Sequence, residues 1–359
     1  MEDILRIAIT SSTDWRDLHE DILRQYDSGL HTEIWLDFST ESWFSIDNQR
    51  INETVFGFIH DTIRSTGLDW NLFTFIHGNV YTQYNYSIWR EIFNVTEEIK
   101  TSYYPLWHKI TAEMHLDFSY QNEQHKDIKR PYMFSCLNGA PRDHRIKTEK
   151  FVKENNLLDK SRYTFYWSDD TLPYNELTSD WRKWPRLEEG NKHRAIQSHR
   201  IQEPEFYKVF DDTYFDFITE TLTTNERFSI EVDKYVTHPP TPEYKQFYEK
   251  FKTIFITEKV WRSIFYKRPF IVMGNHRTLE YLKGLGFKTF DCMWEEHYDD
   301  IETAYLREKA CLEVLKEVCD TYTLESMHNK VYSDEVQEIL QHNYELFKSL
   351  AEEIDALNF

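Results

Sequence analysis

Residues 255–274 read FITEKVWRSIFYKRPFIVMG, and the order of element types within them decides the fold. Thr257 precedes two charged residues and a run with apolar positions at helical spacing, so a helix is predicted from 258 to about 266 with Thr257 as its cap. Pro269 cannot continue that helix. The run that follows, FIVM, is apolar throughout, of strand length, and stopped by Gly274, as expected of a strand buried on both faces. Upstream, 251–256 (FKTIFI) is a second apolar run, predicted as a strand leading into the helix. Strand, helix and buried strand in succession make up the unit of a parallel α/β sheet.

The same alternation extends in both directions. Downstream, 279–283 is predicted helical and 287–290 a strand. Upstream, 131–137 reads as a strand, Asp143–Glu154 as a helix, and 162–167 and 227–232 as strands. In the first 130 residues, 5–9, Glu33–Phe38 and 71–76 read as strands, and 51–63 carries a helical stripe. Between these halves, QNEQHKDIKR at 121–130 has almost no apolar content and reads as a linker. The end is helical: Ile301, Tyr305, Leu312, Leu315 and Val318 form one stripe. After Ser333, a second runs through Val336, Leu340, Phe347, Leu350, Ile354 and Leu357. The expected organisation is residues 1–130, 131–330, and a helix over 331–359 packing back across the domains.

Composition narrows the function. A chain of 359 residues is too long for one small core and suits two domains. With 62 acidic residues against 42 Lys and Arg the net charge is −20, the wrong sign for bulk binding to DNA or an anionic membrane. No apolar run approaches the length of a membrane span, and 1–3 (MED) does not begin like a secretion signal. Cys136, Cys292, Cys311 and Cys319 match no zinc spacing, which predicts a reduced, cytoplasmic protein. Neither a Walker A nor a G-x-G-x-x-G sequence occurs, so kinase, GTPase and nicotinamide-dehydrogenase readings lose their usual support.

Two segments carry chemistry. At 135–145, SCLNGAPRDHR, a strand ending near Asn138 passes through a short turn into a helix whose first turn holds Arg142 and Arg145. Cations at a helix start oppose the helix dipole unless an anion sits there, and the carboxyl edge of a parallel sheet is where such proteins bind ligands. At 257–262, Thr257 caps a helix opening with Glu258 and Lys259, with Arg262 one turn on. A carboxylate there can accept hydrogen bonds from vicinal hydroxyls, while Lys, Arg and free amides hold a diphosphate, the combination that suits a nucleotide sugar or another ribose-diphosphate. An ordinary capped helix with a Glu258–Arg262 pair and a solvated helix start are the plain alternatives. Asp169 and Asp170 form a candidate metal pair, but adjacent loop aspartates are common.

These segments resemble a family. FITEKVWRSIFYKRPFIVMG followed by LGFKTFD at 285–291 is similar to the donor-binding segment of fucosyltransferase-like glycosyltransferases. CLNGAPRDHR at 136–145 is similar to a C-L-N-x-x-P-R-x-H-R stretch of phage-type members. The resemblance covers about 131 to 305. It implies a GT-B architecture, two Rossmann-like domains facing a cleft, with the donor held by the C-terminal one. It implies an inverting transfer from a nucleoside-diphosphate sugar without an obligatory metal. Asn138, Arg142, Arg145, Thr257, Glu258, Lys259 and Arg262 would bind the donor, with Glu258 on the ribose. In the N-terminal half, STESW at 39–43 corresponds to an acidic element of the acceptor domain. That makes Glu41 the expected base, with Trp43 where relatives have proline and Asp37 and His77 in reserve. HGN at 77–79 echoes a family turn and places His77 and Asn79 on the acceptor side.

One segment bears on the acceptor. Residues 181–200 hold six Lys and Arg against two Glu, with Trp181 and Trp184 interleaved. A basic, aromatic loop suits a polyanion, so Arg182, Lys183 and Arg186 are candidate contacts to a hydroxymethylated base in phage DNA or to a glycan. A charged surface excursion is the plain alternative. Two other functions stay open: a non-catalytic nucleotide-sugar or nucleic-acid binding module, and a metal-dependent transferase using Asp169 and Asp170. Nothing in the sequence fixes an oligomeric state.

Overall fold

The computed structural model describes residues 4–9, 17–27, 29, 31–40, 54–115, 126–138, 142–165, 209–221, 223 and 241–356. The chain divides into two units, Met1–Leu106 with Thr224–Phe255 and Trp107–Thr223 with Ile256–Phe359. The expected boundary at 130 therefore falls inside the second unit, and the first is completed by a later segment. No helix among the described residues is long and apolar enough to cross a membrane.

The first unit is a four-stranded sheet in the order β1 (Ile4–Ala8), β2 (Glu33–Phe38), β3 (Phe73–His77), β4 (Lys100–Tyr103), every pair parallel. Successive strands are joined through α1 (Leu18–Tyr26), α2 (Val55–Thr66) and α3 (Thr82–Phe93). Local chemistry sets the helix limits. The Thr54 hydroxyl accepts from the Gly57 amide at 3.1 Å, and α2 stops at Gly67, whose φ of 69° suits a residue without Cβ. After β4 comes α4 (Leu106–His115). The core joins Leu36, Phe38, Phe56, Phe75, Tyr86 and Trp89 to Phe247 and Phe251, which belong to α6 (Pro242–Lys250) and the residue after it. Phe247 is fully buried and meets Phe56 edge-on at 6.4 Å. Full burial of a side chain of this size contributes about 1.5–3 kcal/mol.

The second unit has β5 (Tyr132–Asn138), α5 (Asp143–Glu154), β6 (Ser161–Phe165), β7 (Thr213–Thr219), α7 (Glu258–Phe265), β8 (Phe270–Met273) and α8 (Thr278–Gly284). Then follow α9 (Ala304–Thr321), α10 (Leu324–Val331) and α11 (Asp334–Ala356). The sheet order is β6-β5-β7-β8, again all parallel. The chain moves from β5 to one side, then returns to place β7 on the other, so a topological switch point lies between β5 and β7. α4 belongs here through His108, which stacks on Trp261 at 4.5 Å and Phe347 at 4.2 Å and bonds the Phe347 carbonyl through Nε2 at 2.9 Å. The C-terminal helix is thus part of the second unit. Tyr305, placed in an apolar stripe by spacing, is 61% exposed, its ring 5.6 Å from the Lys147 ammonium. All four cysteines are free thiols.

Two predicted strands are not strands. Residues 251–256 and 287–290 are mostly buried but join no ladder. In each, a buried helix asparagine takes the place of a neighbouring strand. Asn85 of α3 accepts from the Lys252 amide at 2.8 Å and donates to its carbonyl at 2.7 Å. Asn343 of α11 does the same with Lys288, both bonds at 2.8 Å. A carboxamide offers one acceptor and a donor in the geometry of a peptide, which satisfies one residue of extended backbone in the interior. Conversely, β4 and β7 are strands that the sequence pattern does not predict. β7, TYFDFIT, hid because Asp216 interrupts its apolar run. The strand predicted at 227–232 lies outside the described residues.

Candidate functional site

The carboxyl ends of β5 and β7 lie at the switch point, and the starts of α5 and α7 meet there. The two strand ends are joined by the Thr219 hydroxyl, which donates to Asn138 Oδ1. Asn138 Nδ2 in turn donates to the Tyr163 hydroxyl at 3.1 Å and approaches Cys136 Sγ at 3.3 Å. Burial pushes the Cys136 thiol up to about 12, so it stays protonated and is no nucleophile.

Glu220, the residue after β7, is fully buried and ties both helix starts together. Its carboxylate accepts from the Thr257 amide at 3.0 Å, the Thr257 hydroxyl at 2.7 Å and its own neighbour's amide, Thr221, at 3.0 Å. Its carbonyl accepts from His144 Nε2 at 2.9 Å and Arg145 Nη2 at 3.3 Å. Because a carbonyl only accepts, His144 carries its proton on Nε2. Burial, with Arg145 beside it, lowers that imidazole to about 3, so it stays neutral. The Lys259 ammonium closes the arrangement, donating to Thr257 Oγ1 at 2.9 Å and Glu258 Oε1 at 3.2 Å and lying 3.9 Å from Glu220. Burial pushes the Glu258 carboxyl up, but Lys259 and Arg262 outweigh it and hold it below its ordinary value, keeping the carboxylate ionised.

One face of β7 anchors α7 at a second point. Asp216 accepts from Ser135 at 2.6 Å, Ser263 at 2.8 Å and Arg268 Nε at 2.9 Å. Beyond the strand ends, α9 fastens the loops. Glu308 accepts from the Thr223 hydroxyl at 2.5 Å and Lys147 at 3.1 Å, while Arg307 donates to the carbonyls of Thr223 and Gly274.

The structure therefore gathers Asn138, Arg145, Thr257 and Lys259 around Glu220, with Arg142 at the head of α5 and Glu258 beside Lys259. Arg145, Lys259 and Arg262 are 4%, 8% and 5% exposed, far less open than residues at a solvated helix start. His77 and Asn79 have another setting: both are fully buried in the first unit. The Asn79 amide donates to His77 Nδ1 at 2.9 Å, and its side chain accepts from the Tyr81 amide and donates to the Lys252 carbonyl. These contacts hold 252–254 in place. Asp37 is paired with Arg6 at 2.6 Å and accepts from the Ser39 amide at 2.9 Å. Glu41, Asp169, Asp170, Arg182, Lys183 and Arg186 lie outside the described residues. No group of His, Cys, Asp and Glu able to hold a metal occurs among the described residues.

Sequence reasoning missed Asp216 and Glu220. The available signal is an acid at i and i+4 of one aromatic, β-branched run, which puts Asp216 within β7 and Glu220 just past its carboxyl end. No protein-family model, no curated protein and no solved structure matches the chain.

Proposed function

We propose that the chain is a glycosyltransferase of the GT-B class, moving a sugar from a nucleoside-diphosphate donor to an acceptor hydroxyl, with the donor taken by the second unit. The observation that carries this reading is the convergence on Glu220, at the β5/β7 switch point, of two helix starts bearing Arg142, Arg145 and Lys259. Amides and cations at such starts stabilise the charge that develops on a departing diphosphate, without a metal being required. Glu258, ionised and partly open, suits the ribose hydroxyls. The motif resemblance adds Glu41 as the base that deprotonates the acceptor in an inverting reaction. Two parallel α/β units are the parts this class is built from. The basic segment at 181–200 makes a hydroxymethylated base of phage DNA the leading acceptor, with a surface glycan the other. The cysteines suit a cytoplasmic enzyme, in the host cytoplasm if the chain is viral.

A melting-temperature screen against nucleotide sugars tests the reading. A true donor at a hundred times its Kd stabilises the fold by about 2.7 kcal/mol. One nucleotide family should raise the melting temperature of the parent and not of Lys259→Met. If no nucleoside diphosphate does so, the donor site is refuted. Donor binding without transfer to any acceptor would leave a binding module.

A further inference from the structure

Glu220 belongs to no motif that pointed to the donor, yet both halves of the candidate site are built on it. Its backbone carbonyl holds His144 and Arg145 at the start of α5, at 2.9 and 3.3 Å. Its side chain holds the cap of α7, with Thr257 bonded through both amide and hydroxyl. The Thr257 hydroxyl relays that hold to Lys259, accepting from its ammonium at 2.9 Å. A lysine side chain has four carbon–carbon torsions and a strongly hydrated head, so left alone it would spread over many rotamers. Here the ammonium is fixed by a hydroxyl whose own proton is committed to a carboxylate. The result is one defined position for a cation at the helix start.

Resting on the donor reading above, we propose that Glu220 is a positioning residue for the nucleoside diphosphate: through Thr257 it sets where the Lys259 ammonium meets the phosphates. Glu220 itself does not touch the ligand. Because the carboxylate is fully buried and committed to Thr257, its contribution lies in placement of the cation and not in attraction, which for an anion would have the opposite sign.

The test is a double-mutant cycle on binding of ADP, GDP, UDP and CDP, read by calorimetry. Glu220→Gln keeps the carbonyl contacts to α5 and an acceptor for the Thr257 amide, but loses the charge-assisted bond to the hydroxyl. Affinity for the preferred diphosphate should fall about 10- to 100-fold, the scale of one such bond. In a Lys259→Met background the same change should have an effect under about twofold, because the residue it positions is gone. Thr257→Val, which cuts the relay and leaves Glu220 charged, should reproduce the loss if Glu220→Gln folds poorly. The ammonium resonance of Lys259 in lysine-labelled protein, sharp in the parent, should broaden in both variants, which a general loss of stability would not single out.

Unchanged affinity in Glu220→Gln, or equal effects with and without Lys259, would overturn the positioning role and leave the donor site standing. Tighter binding would also overturn it, since Glu220 would then be competing with the phosphates. If the parent binds none of the four diphosphates, the donor reading fails and this inference fails with it.

Discussion

Arg268 donates its Nε to Asp216 Oδ1 across 2.9 Å, with the guanidinium fully buried and the carboxylate 7% exposed. The other Arg268 nitrogens go to the Phe210 and Thr213 carbonyls and the Thr213 hydroxyl. A buried pair is of little net benefit over apolar residues, but removing one partner strands the other charge. Asp216→Asn should therefore destabilise the second unit by about 3–5 kcal/mol in urea titration. Adding Arg268→Met should recover part of that loss. An Asp216→Asn variant as stable as the parent would show that the pair is not a fixed buried charge.

Three buried imidazoles set an acid limit. Burial lowers His60 and His108 to about 4 and His144 to about 3, against an ordinary 6.5. His60 lies between Trp70 and Trp89 with Nε2 on the Tyr86 hydroxyl at 2.8 Å. A histidine whose folded value is depressed binds fewer protons folded than unfolded. Its stabilisation is then complete above about pH 6.5 and drains away as the pH falls toward 4. Each full shift of this size is roughly 3 kcal/mol. Denaturant midpoints taken from pH 7 to pH 4 should fall steeply, and His60→Gln should flatten the slope. A flat profile for the parent would contradict the neutral, buried assignment.

For catalysis, Glu41→Gln should leave donor affinity intact and lower turnover by about 10²–10⁴, the usual scale of general acid–base catalysis. Turnover close to the parent's would move the base elsewhere. Asp37 is a poor replacement because Arg6 and the Ser39 amide already hold its carboxylate.

For the acceptor, neutralising Arg182, Lys183 and Arg186 together should weaken binding to hydroxymethylcytosine DNA and spare the donor. Each phosphate contact adds about 0.9 to the slope of log affinity against log salt, so the slope should flatten by about 2–3 units. If the parent shows no salt-dependent DNA binding and transfers no sugar to it, the acceptor is a glycan or small molecule.

The elements legible in the sequence are those whose periodicity is unambiguous. Glu33–Phe38 keeps Ile34, Leu36 and Phe38 at every second position, Asp143–Glu154 is bracketed by Pro141 and Asn155, and Thr257 caps the helix expected after it. Apolar runs were read less well, because burial does not specify who satisfies the backbone. Residues 251–256 and 287–290 look like strands for the same reason that β8 does. What separates them is Asn85 and Asn343, distant in sequence and unremarkable within their helices. The reverse held for β7: an acid inside an apolar run argues against a buried strand until its partners, Ser135, Ser263 and Arg268, are known. The candidate site is legible as two motifs and illegible as one site, since the residue joining them follows directly on the strand that periodicity conceals.

The return of 224–255 to the first unit has a consequence for biosynthesis. That unit's core takes Phe247 and Phe251 from a stretch translated long after β4. At about 5–20 residues per second, some 145 further residues occupy a ribosome for roughly 7–30 seconds. Throughout that interval Phe56 has been made but its edge-on partner Phe247 has not. The nascent first unit then has all four strands of its sheet but lacks α6, which leaves an open apolar face while β5, β6 and β7 of the second are being synthesised. Assembly cannot proceed strictly from the amino end, and the face awaiting Phe247 is where a trigger-type chaperone would be expected to dwell.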